Sequence, residues 1–150
     1  MLRILGGLIV GLVAGSVVNM LIVILSMSMY PPPPGLDYSD TTAFQAYIAS
    51  LPTAAFGLVF LAHAGGTFAA SLVAAVIARQ RFLILGATLG VWFFFGGLYN
   101  VLVLPAPPWF EILDLVAYLP CSLAGAKLGH AFVGKITSPP SRTESPVSEA

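Results

Sequence analysis

The sequence predicts an all-α integral membrane protein: a four-transmembrane-helix bundle with a short amphipathic helix in the first outer loop. Three observations carry this. Of 150 residues, 58% are hydrophobic and only 8% are charged, against roughly a quarter charged in soluble domains. Four apolar segments alternate with short polar connections, and each meets the ~20 residues that a helix needs to cross the hydrocarbon core. Fixed positive charge falls on one side of that alternation. Arg3, Arg79, Arg81, Lys135 and Arg142 share a side, and Lys127 lies close enough to snorkel toward it. The opposite connections carry Asp37, Asp40, Glu111 and the nearby Asp114, with no Lys or Arg. The positive-inside rule then places both termini in the cytoplasm, and the expected setting is a bacterial inner membrane.

The first span is expected over residues 4–29. Its apolar run is longer than the core of a signal peptide and no small-residue cleavage site precedes a polar start, so it reads as an uncleaved helix. Pro31-Pro32-Pro33-Pro34 then excludes helix and sets a short polyproline rod. Residues 41–50 follow as a short helix capped by Asp40 or Thr41. Phe44, Tyr47, Ile48 and Leu51 recur there at helical spacing, which suits either a surface-lying helix or one packed on the bundle.

The second span is expected over 53–78, ending at Arg79-Gln80-Arg81, and the third over 82–104. The run Pro105-Ala106-Pro107-Pro108 reads as a second rigid loop that carries Trp109 and Phe110 as an interfacial anchor. The fourth span is expected over 111–134, with Pro120 as a kink site. These four spans make a single transmembrane domain, 1–134. Residues 135–150, rich in Ser, Pro, Thr and Glu, read as a disordered cytoplasmic tail. The two halves share a coarse plan, each with a Gly-containing helix bearing an Asn (Asn19 or Asn100), a proline-rich loop and a returning helix. Residue by residue the match is poor.

Small residues recur every four positions: Gly7, Gly11 and Gly15; Ala62, Gly66, Ala70, Ala74 and Ala78; Gly86 and Gly90 with Gly97; Gly125 and Gly129. Such GxxxG-like stripes let helix backbones approach closely. Most are expected to pack the bundle itself. Their number also suggests a homo-oligomer, with a dimer as the simplest case, or docking to a larger membrane protein. The remaining partner is the lipid bilayer. A formal net charge of zero gives no nucleic-acid footprint.

Polar side chains concentrate in the outer half. By helical rise, Asn19 and His63 lie about 15 Å below the outer boundary, Tyr118 about 10 Å and Asn100 about 6 Å. Asp114 sits near the outer end of its helix and shares a face with Tyr118 four residues on. Ionisable groups inside a membrane are costly and default to functional candidates. Imidazole is the side chain that changes charge near neutral pH, and Asp114 is the natural charge partner of His63. The expected ligand-binding set is therefore Asn19, His63, Asn100, Asp114 and Tyr118, with Asp37 and Trp109 near the mouth beside Tyr30. A register-fixing hydrogen-bond network is the structural counterpart of this reading.

Other chemistries fit less well. His63 and His130 lie toward opposite faces, too far apart for two axial haem ligands in one protomer. Ligands for zinc are not clustered, and the single cysteine, Cys121, allows no thiol pair. No cofactor is expected. Ser71, His63 and Asp114 do not by their presence make a triad, which geometry defines. The expected function is small-molecule or ion binding and transport. A non-catalytic accessory subunit is the second reading. An intramembrane enzyme using His63 and Asp114 as acid and base is the third, so a non-enzyme is expected.

Overall fold

A computed structural model describes residues 1–137 of the chain. Five helices follow one another: α1 Leu2–Met29, α2 Thr41–Ser50, α3 Thr53–Ala78, α4 Phe82–Val103 and α5 Pro108–Thr137. Strands are absent among the described residues. The helices α1, α3, α4 and α5 are each long and apolar enough to cross a membrane. Most of the expected disordered tail, residues 138–150, lies outside the described residues.

Two expected boundaries are corrected. The fourth long helix starts at Pro108, not 111, and runs through Thr137, not 134. Proline suits the first helical position, where its φ is already helical and its missing N–H has no partner to lose. The Pro107 carbonyl accepts the N–H of Phe110 at 2.9 Å and of Glu111 at 3.2 Å. Trp109 and Phe110 therefore belong to the first turn of α5 rather than to a loop. Pro120 removes one hydrogen bond to the carbonyl four residues back, yet α5 continues through it.

Helix α2 forms where Asp40 caps it. One carboxylate oxygen accepts the N–H groups of Thr42 and Ala43 at 3.0 and 3.1 Å, which satisfies two donors that a helix start leaves unpaired. The helix is tied at both flanks. Tyr47 Oη donates to the Tyr30 carbonyl beyond α1, and Gln45 Nε2 donates to the Val103 carbonyl at the end of α4, both at 2.7 Å. These bonds and the burial of Tyr47 make α2 a strap across the ends of α1 and α4.

Helix α3 is the spine, touching α1, α4 and α5. The glycines set how closely. A Cβ on Gly7 would meet Ala74 and Ala78, one on Gly11 would meet Ala70 and Ala74, and one on Gly15 would meet Gly66 and Ala70. The numbering descends as it ascends, so α1 runs antiparallel to α3. On α5, Gly125 lies against Phe68 and Gly129 against Leu72 and Ala75, so α5 runs parallel to α3. Gly86 against Ser122 and Ala126, with Phe82 stacked on His130 at 4.1 Å, makes α4 antiparallel to α5. This register gathers Leu2, the Arg79–Arg81 turn and Thr137 at one end of the bundle. Both proline-rich connections and α2 lie at the other.

That turn has an unusual backbone. Arg79 and Arg81 both adopt positive φ, 58° and 51°, where glycine is ordinarily favoured. Arg79 caps the C-terminus of α3, donating its N–H to the Ala75 carbonyl, a position where the helix dipole favours a cation.

The seams predict an asymmetric response to added bulk. At Gly125 a Cβ would collide with the Phe68 backbone, whereas at Gly6 it would meet nothing within 4 Å. Backbone cannot step aside as a side chain can, so Gly125→Val is expected to cost at least about 1–3 kcal/mol through overpacking. Gly6→Val is expected to be near neutral. Reversible unfolding of the two variants in the same detergent checks the difference.

Candidate functional site

The polar cluster lies in the half of the bundle nearer the proline-rich connections. Three side chains form its centre. His63 Nδ1 lies 2.9 Å from Oδ1 and 2.8 Å from Oδ2 of Asp114. Tyr118 Oη donates to Oδ2 of the same carboxylate at 3.1 Å. The His63 and Tyr118 rings stack with centroids 5.8 Å apart. Asp114 and Tyr118 are each 2% exposed, so the carboxylate meets protein donors rather than solvent.

Each neighbour has a local reason for its place. Asp114 and Tyr118 share one face of α5 because they are four residues apart. The earlier start of α5 puts both three residues, about 4.5 Å, farther from the start of their helix than the anticipated boundary does. Tyr118 thus stands ten residues from its helix start, as His63 does from its own. On α4, Gly97 makes room, for a Cβ there would run into the Tyr118 ring at 2.5 Å. On α3, Thr67 returns its hydroxyl to the His63 carbonyl at 2.7 Å.

Two cavities meet at this cluster. One is a cleft of about 330 Å³ lined by Asn19, His63, Phe93, Gly96, Gly97, Tyr99, Asn100 and Tyr118. It draws on α1, α3, α4 and α5, and its volume falls at the lower end of small-molecule sites, about 300–1,000 Å³. The other is an apolar chamber of about 70 Å³ beneath α2 and the second proline-rich connection, walled by Ile48, Leu51, Phe56, Val59 and Phe110 among others. His63, Gly97 and Asn100 line both. Asn19 lines the cleft, and its Oδ1 is buried without a hydrogen-bond partner.

Five of the seven expected site residues are thus brought together: Asn19, His63, Asn100, Asp114 and Tyr118. Asp37 and Trp109 are not. Asp37 is exposed and accepts both the N–H and the hydroxyl of Ser39, at 2.8 and 2.7 Å. Those bonds hold its carboxyl below the usual range. Trp109 is 45% exposed and meets Phe110 edge to face. Neither lines the cleft or the chamber. Tyr30 spends its carbonyl on Tyr47. Sequence reasoning missed Phe93, Gly96 and Tyr99. The adjacent glycines at 96 and 97, close to Asn100, were the available signal, because the missing side chains leave the space.

The remaining candidates separate. His130 stacks on Phe82 at the opposite end. Ser71 lies eight residues beyond His63 on the same helix, about 12 Å along its axis. Its hydroxyl is buried and unpartnered. Among the described residues, no three His, Cys, Asp or Glu side chains cluster as metal ligands. The chain matches no family model, no curated protein and no solved structure.

Because Asp114 and His63 come from different helices, their interaction is measurable as a coupling. A double-mutant cycle with His63→Ala and Asp114→Ala is expected to return about 0.6–2 kcal/mol, the range for hydrogen bonds between membrane helices. Thermal or denaturant unfolding of the four proteins reads it. Strict additivity would show that the pair does not exist in solution.

Proposed function

We propose that this is a multi-pass integral membrane protein that binds a small polar solute or ion, and moves it, at a site in the outer half of the bilayer. The observation that carries the reading is the buried His63–Asp114–Tyr118 cluster beside a cleft that His63 and Tyr118 line together with Asn19 and Asn100. A network that served only to fix register would close on itself. This one borders an open volume through His63 and Tyr118.

The orientation proposed is cytoplasmic for the end holding Arg3, Arg79, Arg81 and Lys135, by the positive-inside rule. The α3–α4 turn supports it. Arginine occupies two positions where glycine would strain the backbone less, as expected where charge decides the residue. A bacterial inner membrane is the setting proposed for a compact chain of this kind.

An accessory subunit or a homo-oligomer is the second reading, favoured by one surface. Trp92, Phe95 and Tyr99 form an aromatic stripe on α4, each more than 60% exposed. The glycine seams that first suggested an oligomer are occupied within the protomer at Gly7, Gly11, Gly15, Gly86, Gly125 and Gly129. A second copy or larger partner would therefore use other surfaces, such as that stripe.

Native mass spectrometry of the protein released from mild detergent separates the readings. A small molecule retained by the wild-type protein and lost from Asn19→Leu is expected. A bare protein in both samples, or one bound to a different membrane protein, would contradict the solute-binding reading and favour the accessory role.

A further inference from the structure

We propose that the arginine end of the bundle holds an anionic phospholipid, with an acyl chain in a trough between α1 and the α3–α4 turn and the phosphate on Arg81. The site lies at the end of the bundle opposite the cleft and does not depend on the reading of the cleft. The trough has a volume of about 710 Å³. Leu2, Ile4, Leu5 and Leu8 of α1 form one wall, and Gln80 and Arg81 of the turn form the other.

The helix register makes this trough. Gly7 lies against Ala74 and Ala78, which brings the start of α1 beside the turn that follows Ala78. Helix α4 leaves that turn with few contacts to α1, so a gap stays between them. Leu2 and Leu5 are 88% and 59% exposed, and in a bilayer such side chains find their cover in lipid. Leu2 to Leu8 covers about 9 Å of helix axis, room for the upper part of an acyl chain. The trough is thus apolar along α1 and polar at the turn, as a phospholipid is along its chain and at its head.

Charge complementarity selects the headgroup. Arg81 puts a fixed positive charge on the trough wall, and Arg3 and Arg79 lie at the same end of the bundle. Asp37, Asp40, Glu111 and Asp114, the acids among the described residues, all lie toward the other end. Among the described residues, Arg3, Arg79 and Arg81 make no ion pair. A guanidinium matches phosphate with two parallel N–H donors, and the Gln80 amide adds donors beside it. A zwitterionic headgroup carries an ammonium next to its phosphate, which offsets the attraction. Basic pockets between membrane helices bind anionic headgroups on the cytoplasmic side, the side on which the positive-inside rule places this end.

Native mass spectrometry of the full chain in mild detergent tests this by titration with three probes: phosphatidylglycerol, phosphatidylcholine with the same acyl chains, and glycerol phosphate. Phosphatidylglycerol is expected to bind about fivefold or more tightly than phosphatidylcholine, the scale of one arginine at an anionic lipid surface. Glycerol phosphate, a head without chains, should not be retained. Arg81→Gln should remove the preference for the anionic lipid, and Arg81→Lys should keep most of it. Lys135→Gln removes the same charge from the same end of the bundle but not from the trough, and should leave the preference unchanged. Leu5→Trp supplies the control for place. Leu5 is exposed, so this variant should fold, keep every charge, fill the trough and weaken retention of phosphatidylglycerol.

The proposal is overturned if the two phospholipids bind alike, or if the preference survives Arg81→Gln. Equal loss in Lys135→Gln also overturns it, because the attraction would then be one of total charge. Undiminished retention of phosphatidylglycerol by Leu5→Trp would place the lipid elsewhere. Glycerol phosphate retained as well as phosphatidylglycerol would mark a site for free phosphate and overturn the lipid assignment.

Discussion

A buried carboxylate is the most demanding group in this bundle. Asp114 is 2% exposed on a helix whose neighbours are largely apolar. An ionised group in such surroundings must be paired and hydrogen-bonded, because desolvation is otherwise prohibitive. The pairing draws His63 from α3 and Tyr118 from the next turn of α5. It thereby fixes the rotation of α5 about its axis relative to α3. Gly97 on α4 is then required to be small, since the Tyr118 ring occupies the place of any side chain there.

The bundle divides into two unlike halves as a result. Toward the arginine turn, glycine and alanine bring backbones together. Gly11 against Ala70 and Ala74, and Gly129 against Leu72 and Ala75, leave little between the helices. Ala70 and Ala74 on α3 have no exposed surface at all. Toward the proline-rich connections, α1 and α4 share few contacts and the cleft opens between them. Strap α2 holds that end by Tyr47 to the end of α1 and Gln45 to the end of α4. Movement of a solute past His63 toward the arginine turn would require the glycine seams to part. Tightly packed interfaces change by discrete rearrangement rather than by continuous stretching.

Much of this plan was legible in the sequence, and the failures are instructive. The four long helices follow from apolar length, and the cap at Asp40 from residue type alone. The partnership of His63 with Asp114 follows from scarcity: His63 is the one basic side chain that helical rise places in the same half of the bundle. The start of α5 was missed because two adjacent prolines read as a loop, although proline is welcome at the first helical position. Asp37 and Trp109 were placed at the site because topology puts them at the correct end. Sequence distance to a boundary does not report lateral position. Asp37 satisfies itself locally on Ser39, and Trp109 turns to the surface. Nor did the sequence reveal which glycines close a seam and which leave a space. Gly97 abuts Tyr118 while its neighbour Gly96 faces open volume, a difference set by which helix lies opposite.

The central claim is that His63 donates its Nδ1–H to Asp114 in a hydrogen bond that ties α3 to α5. Nitrogen-15 magic-angle-spinning NMR of ring-labelled histidine in bilayers tests it most directly, with His130→Gln leaving a single histidine signal. The account predicts a ring protonated at Nδ1, with through-space transfer to the Asp114 carboxyl carbon. A ring protonated at Nε2, or one with no transfer to Asp114, would contradict it.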